Sequence, residues 1–336
     1  MKAVQGTNTD IIYLDFAKAF NKVPHHRLLQ KLKAHGINGK IWNWIRAWLT
    51  NRNQRVCIKG KSSTWAEVLS DVPQGSVLGP VLFLIYINDL EEGIENWILK
   101  FADDSKIFSR IQDADDRLRL QKDLNQLLEW SREWQMKFNV EKCKVMHVGS
   151  SNPRYTYEMD GSEIQVIHEE KDLGVTIVDN LKTSVHYAHQ YAKANRMFGI
   201  LRRTFKTRSK PVLLKMYKSV VRPHLKYCTS VWSPHYKKVK ELLKKIQLRF
   251  TRLFKELRQL TYAERLHALG LWSLEERRNR ADLVEVYKII NGQSAIPAVI
   301  FGRPLGPGLC HRKSVRPSVC LSVCLSVTLV YCGQTA

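Results

Sequence analysis

ILKFADDSKIF, residues 98–108, poses the question on which the fold turns. Two apolar stretches, ILKFA and SKIF, flank Asp103 and Asp104. Alternating segments on either side of a polar break predict a β-hairpin. Its tip then carries two adjacent like charges, and burying either one unpaired is costly. Taken alone, such a pair also fits a solvated turn. A second acid bears on that choice. IIYLD, residues 11–15, is another short apolar run, and it ends in Asp15. Carboxylates converging from the ends of separate strands repel one another unless cations lie between them. Magnesium is held through one or two carboxylates together with substrate phosphates. Two such ions about 3.5–4 Å apart clamp the attacking and leaving oxygens of an in-line phosphoryl transfer.

The bulk composition points the same way. The chain has 336 residues, long enough for two domains. Lys and Arg total 54 against 31 Asp and Glu, a formal net charge of +23. A charge that large implies a polyanionic partner, nucleic acid before an anionic membrane surface. The first residues, MKAVQGTNTDIIYLDF, hold no signal-peptide apolar core. The longest apolar run, VLGPVLFLIYI at 77–87, is too short to span a bilayer. None of the seven cysteines forms a CxxC pair, which argues against a zinc site. The expectation is an intracellular protein with reduced thiols, in nucleus or cytoplasm, not secreted and without a membrane partner.

Periodicity sets out the elements. HHRLLQKLKAHGI (25–37) has helical spacing and closes on Gly36. IWNWIRAWL (41–49) predicts a second helix with Trp44, Ile45 and Trp48 on one face. QRVCIKG and STWAEVL (54–69) alternate like a hairpin. DVPQGSVLGPVLFLIYINDL (71–90) is a Gly/Pro loop feeding a buried helix, with Pro80 in its first turn. Residues 112–138 predict an amphipathic helix carrying Leu120, Leu124, Leu127, Leu128, Trp134 and Phe138. KCKVMHVG (142–149) and KDLGVTI (171–177) read as strands, and from about residue 184 the pattern is helical. Between Lys237 and Arg258 there are nine basic and two acidic residues. Past Pro304 the perfect repeat SVCLSVCLSV (318–327) suggests an appended low-complexity tail over 303–336, expected to be disordered.

Five of these stretches, YLDFAKAFNKVPHHRLL, VPQGSVLGPVLFLIYINDL, FADDSKIF, KFNVEKCKVM and KDLGVTI, occur in that order. Together they resemble the catalytic motifs A to E of reverse transcriptases from non-LTR, jockey-like retrotransposons. The resemblance implies an α+β chain. A right-hand polymerase palm (residues 1–180), an antiparallel sheet with helices on one face, precedes an all-helical basic thumb and extension (181–302). It implies RNA-directed DNA polymerase activity: nucleotidyl transfer from a dNTP to a DNA primer on an RNA template, with two Mg²⁺ ions or Mn²⁺ in their place.

The same resemblance assigns residues. Asp15, Asp103 and Asp104 would be the catalytic metal ligands, joined by the Phe16 carbonyl. Phe20 would be the aromatic gate that excludes a ribose 2′-OH, though on periodicity alone it reads as a core aromatic. Gln74 and Gly75 would lie beside the template–nascent base pair, where glycine lets backbone approach a ligand closely. Lys142 would protonate the pyrophosphate leaving group; a solvated surface lysine is the other reading. Leu173 and Gly174 would form the primer-grip turn, which otherwise reads as a plain strand end. The basic helices would track nucleic-acid phosphates, giving salt-dependent, sequence-independent affinity.

The chain departs from the family pattern in three ways. Fourteen residues precede Asp15, whereas the family's fingers and endonuclease lie upstream of that point, which implies a chain truncated at its N-terminus. Asn21 stands where the family usually has Asp; that acid is not a metal ligand, so chemistry need not be lost. The repeat tail stands where a native C-terminus would. The alternative reading is therefore a catalytically inactive nucleic-acid-binding remnant. An intron-maturase-like splicing role ranks below it, because no maturase-type RNA-binding domain is visible.

Overall fold

A computed structural model describes residues 8–293, apart from 74, 206–208 and 235. Gln74 and the tail over 303–336 lie outside the described residues. The described chain forms two units that meet in sequence at His168 and Glu169, each with its own hydrophobic core. Among the described residues no helix is long and apolar enough to cross a membrane.

In the first unit the apolar run ending in Asp15 becomes β1 (Thr9–Leu14). The helices predicted next form as α1 (His25–Ala34) and α2 (Gly39–Leu49). The face predicted for α2 needs correcting. Ile45 and Leu49 are buried, whereas Trp44 is 59% exposed. Trp42 turns inward instead and donates its indole N–H to the Leu29 carbonyl. The hairpin over 54–69 survives as two nested pairs: β2 (Asn53–Gln54) with β5 (Ala66–Glu67), and β3 (Cys57–Ile58) with β4 (Lys61–Ser62). The Gly/Pro loop then feeds α3 (Leu78–Tyr86), with Pro80 in its first turn, where its missing N–H has no helical partner to lose.

FADD supplies the hairpin of β6 (Trp97–Phe101) and β7 (Asp104–Arg110). It is followed by α4 (Ala114–Glu133), whose start is fixed by reciprocal hydrogen bonds between Asp113 and Asp116. α4 ends at Glu133, five residues short of Phe138, the last core residue assigned to it from sequence. The chain breaks at Gln135, which takes φ +56°, and Phe138 stacks on Phe16 instead. β8 (Lys144–Val148), the short pair β9 (Glu158–Met159) and β10 (Ser162–Glu163), and β11 (Gln165–Val166) complete the unit.

The main sheet has the order β11–β8–β1–β7–β6. Its pairings are antiparallel except β11–β8, which is parallel, so the predicted all-antiparallel sheet is correct for four strands of five. β1 is central, with both edges paired. Alternation sends Ile12 and Leu14 of β1, Ile107 of β7 and Val145 of β8 into one core with α1, α3 and α4. Two buried polar knots fix this layer. The Lys31 ammonium donates to the Tyr86 carbonyl and to Asp89 Oδ1, both at 2.5 Å, and lies 3.7 Å from the Trp134 ring centroid. Burial lowers its pKa, and the Asp89 partner works against that. Asp123 of α4 accepts from the backbone N–H groups of Glu95 and Asn96, pinning the chain where it enters β6.

A third knot was not foreseen. Asp10 is fully buried at the start of β1. It accepts hydrogen bonds from Tyr157 Oη at 2.6 Å and Asn152 Nδ2 at 2.7 Å, and pairs with His147 Nδ1 at 2.7 Å. Burying a carboxylate is tolerable here because its lone pairs are met from three separate segments.

The second unit opens with a hairpin, β12 (Glu169–Asp172) and β13 (Val175–Val178). KDLGVTI is thus two strands and a turn. The rest is helical, as the sequence predicts: α5 (Ser184–Thr204), α6 (Lys210–Met216), α7 (Thr229–Trp232), α8 (Lys237–Thr251), α9 (Tyr262–Ala268) and α10 (Leu274–Ile290). Tyr217, Trp232, Leu243, Ile246 and Phe250 are fully buried at its centre. α9 and α10 start in capping boxes, Thr261 with Glu264 and Ser273 with Glu276.

Candidate active site

Asp15 and Asp104 lie at the same end of the sheet. β1 pairs with β7 in the register Leu14↔Ser105. Continued by one residue, that register sets Asp15 across from Asp104. Alternation places both on the face opposite the helix-packed core, since Leu14 and Ser105 face inward. The hairpin loop is Ala102–Asp103, and Asp104 is already the first residue of β7. Ala102 takes φ +51°, the left-handed conformation that a two-residue hairpin loop demands and that a side chain adopts at a cost. Asp103 is half-buried and Asp104 exposed.

Asp15 is held from behind. Its carbonyl accepts from Asn139 N–H at 2.7 Å, and Ala17 N–H donates to the Lys137 carbonyl at 2.8 Å. These bonds flank the Phe16–Phe138 pair, so the Phe16 N–H and C=O turn away from that segment. The Phe16 ring is fixed in the core by Phe138, at a centroid distance of 4.5 Å. The buried Cys143 thiol hydrogen-bonds the Asp15 backbone, and burial pushes its pKa up, so it is an inert support rather than a nucleophile.

The front of Asp15 is different. About a third of the side chain is exposed, yet Oδ2 itself is shielded and accepts no hydrogen bond. Lys142 Nζ lies 3.3 Å from it, within ion-pair range. An orphaned carboxylate oxygen with a cation beside it is a site that favours positive charge. The donor set at this sheet end is all oxygen, which suits a hard divalent cation. Among the described residues, however, no three Asp, Glu, His or Cys side chains are gathered closely enough to hold a metal ion.

The motif A and B residues share one seam. Val72 N–H donates to the Phe20 carbonyl, Asp71 N–H to the Val23 carbonyl, and Ser70 Oγ to the Asn21 carbonyl. Phe20 is half-buried, and its ring stacks on Phe83 at 4.5 Å, so it serves the core on at least one face. Asn21 is exposed. Gly75 takes φ +86°, with open space where a Cβ would stand. Gly79 is held tightly instead: a Cβ there would lie 2.5 Å from the Pro73 carbonyl. The loop and the first turn of α3 therefore each need glycine, for opposite reasons.

In the second unit Leu173 (φ +43°) and Gly174 (φ +85°) form the two-residue turn between β12 and β13. Tyr227 Oη donates to the Leu173 carbonyl at 2.8 Å, and its ring edge lies 3.1 Å from where a Gly174 Cβ would stand. Sequence reasoning missed Tyr227 and Asp10. The signal for Asp10 was present, as an acid abutting an apolar run; Tyr227 gave none.

The chain belongs to the family described as reverse transcriptase (RNA-dependent DNA polymerase), whose model matches residues 2–188. It is 29% identical over 254 residues to the RNA-directed DNA polymerase from mobile element jockey of Drosophila funebris, covering 70% of this chain and 27% of that one. It is 27% identical over 258 residues to the probable RNA-directed DNA polymerase from transposon X-element of Drosophila melanogaster, again covering 70% and 27%. The resemblance to non-LTR retrotransposon enzymes agrees with these matches. The chain spans about a quarter of the length of these curated relatives. Among solved structures, telomerase from Candida tropicalis with a TWJ fragment of telomeric RNA gives a TM-score of 0.43 at 13% identity, over 75% of this chain and 39% of that one.

Proposed function

We propose that this chain is the palm and thumb of an RNA-directed DNA polymerase that extends a DNA primer with dNTPs on an RNA template, inside the cell. Residues 1–180 act as the palm and 181–302 as the thumb and its extension. One observation carries the reading: the β1–β7 register, continued by one residue, sets Asp15 across from Asp104 beside the Asp103–Asp104 tip, and Asp15 Oδ2 accepts no hydrogen bond.

Asp15, Asp103 and Asp104, with the Phe16 carbonyl, would hold two Mg²⁺ ions, or Mn²⁺ in their place. When bound, these would neutralise the triphosphate and activate the primer 3′-OH. The residues supply position. Asn139, the Phe16–Phe138 pair and Cys143 hold Asp15 rigid from behind. Lys142, 3.3 Å from Asp15, would give a proton to the departing pyrophosphate. Phe20 limits the space at the sugar. Gln74 and Gly75 line the templating base pair, Gly75 by leaving room for close approach. The Leu173–Gly174 turn holds the primer end, itself held by Tyr227.

Primer extension on matched RNA and DNA templates tests the reading. RNA-templated incorporation that Asp15→Asn removes supports it. Salt-sensitive binding without incorporation would favour a binding remnant instead.

A further inference from the structure

Helices α5 and α8 of the second unit enclose a cleft of about 400 Å³, lined by Asn195, Gly199, Arg202, Arg249, Arg252 and Leu253 among others. Arg202 lies one turn on from Gly199 in α5, and Arg252 follows Arg249 at the same spacing at the end of α8. Three guanidinium groups therefore converge, with no carboxylate in the lining. None of the three forms an ion pair with a described residue. Arg249 is oriented by its hydrogen bond to Tyr191 Oη at 3.0 Å. Three exposed cations on one concavity repel each other, and no carboxylate of the lining offsets that repulsion.

Gly199 is the second anomaly. It lies inside a 21-residue helix, where glycine costs about 1 kcal/mol relative to alanine. Its φ is not positive, and nothing lies within 4 Å of where its Cβ would be. Neither backbone conformation nor packing requires glycine, in contrast to Gly79. What its missing side chain does is keep the cleft open.

We infer that this cleft binds one nucleotide unit of a single-stranded nucleic acid: phosphate on the three arginines, base on the floor made by Gly199 and Leu253. Guanidinium forks match phosphate oxygens two at a time. A cleft of this size suits a small ligand, whereas a duplex presents its phosphates on a convex surface. Asn195 offers both a donor and an acceptor to a base edge or a 2′-OH. The inference rests on the reading of this chain as a nucleic-acid polymerase and adds a single-strand site remote in sequence from the catalytic motifs.

The test uses the full chain and labelled oligo(rU), oligo(dT) and a blunt RNA–DNA duplex, with anisotropy read across a salt titration. Gly199→Leu should unfold at the same temperature or higher, because leucine is the better helix former. It should nevertheless bind single strands about tenfold more weakly, the loss expected when one base is no longer held. Replacing Arg202, Arg249 and Arg252 together by Gln should lower the slope of log K against log salt by about 2 for single strands. Loss on oligo(rU) alone would show that the cleft reads the 2′-OH; equal loss on oligo(rU) and oligo(dT) would assign phosphate and base. Unchanged single-strand binding in both variants, or an equal loss on the duplex, would overturn the inference. Either result is separable from the polymerase reading, because that reading fails only if the native chain shows no extension that Asp15→Asn removes, and this is measured independently of the cleft variants.

Discussion

Lys142 Nζ lies 3.3 Å from Asp15 Oδ2, an oxygen shielded from solvent that accepts no hydrogen bond. The lysine ammonium would compete for this carboxylate with a divalent cation held there. An exposed pair of this kind contributes at most about 1 kcal/mol. Lys142→Met should therefore lower the Mg²⁺ concentration for half-maximal extension by about fivefold. If the lysine also protonates the leaving group, the plateau rate should fall by about 100-fold. A Mg²⁺ titration of single-turnover extension separates the two effects. An unchanged midpoint and plateau would make Lys142 a solvated surface residue.

Phe20 packs its ring on Phe83 and is still half-exposed. Phe20→Val should cost about 1–2 kcal/mol of stability, less than full burial would imply. As a sugar gate, it should also raise ribonucleotide incorporation relative to deoxynucleotide by at least about tenfold, a difference within the range one pocket group controls. Competition between rNTP and dNTP reads this directly. A stability loss with discrimination intact would leave Phe20 a core aromatic only.

The Leu173–Gly174 turn is strained and supported from one side. Gly174→Ala places a side chain at φ +85° and 3.1 Å from the Tyr227 ring. It should destabilise the second unit by about 1–2 kcal/mol in urea. Tyr227→Phe keeps the ring and removes the hydroxyl that bonds the Leu173 carbonyl, so it should raise KM for primer more than it lowers kcat. A change in kcat alone would place Tyr227 outside primer positioning.

His186 is buried, and its Nδ1 accepts the Thr176 N–H. Burial, with His189 and Lys193 nearby, lowers its pKa from 6.5 to about 4. Its folded pKa lies below its unfolded one, so between these values the unfolded chain binds more protons. Stability is then complete above pH 6.5 and falls as pH drops toward 4, by up to about 3 kcal/mol. Urea midpoints at pH 7 and pH 5 should differ in the native chain, and less so in His186→Leu. Equal pH dependence in both would show that another group titrates.

Local pattern carried much of this architecture. The acid-ended run at Asp15, the FADD hairpin and the Gly/Pro loop before α3 each declare themselves within a few residues, because turn chemistry and alternation are local. What escaped depends on partners far along the chain. Asp10 is buried because Asn152, His147 and Tyr157 meet it, and no spacing rule predicts that meeting. Trp44 has the helical spacing of a core residue but faces outward, while Trp42 takes the inward place through its bond to Leu29. Phe138 fits the period of α4, yet the break at Gln135 carries it to Phe16. The five motifs identified the family, but that Asp15 and Asp104 fall across from each other follows only from the β1–β7 register.

A catalytic site built on these acids is best tested by dTTP incorporation on poly(rA)/oligo(dT) with Mg²⁺, comparing the native chain with Asp103→Ala. Incorporation by the native chain that falls to background in the variant, with primer–template binding retained, is the predicted result. Incorporation that survives Asp103→Ala, or none from a native chain that still binds primer–template, would contradict a shared catalytic site at Asp15 and Asp103.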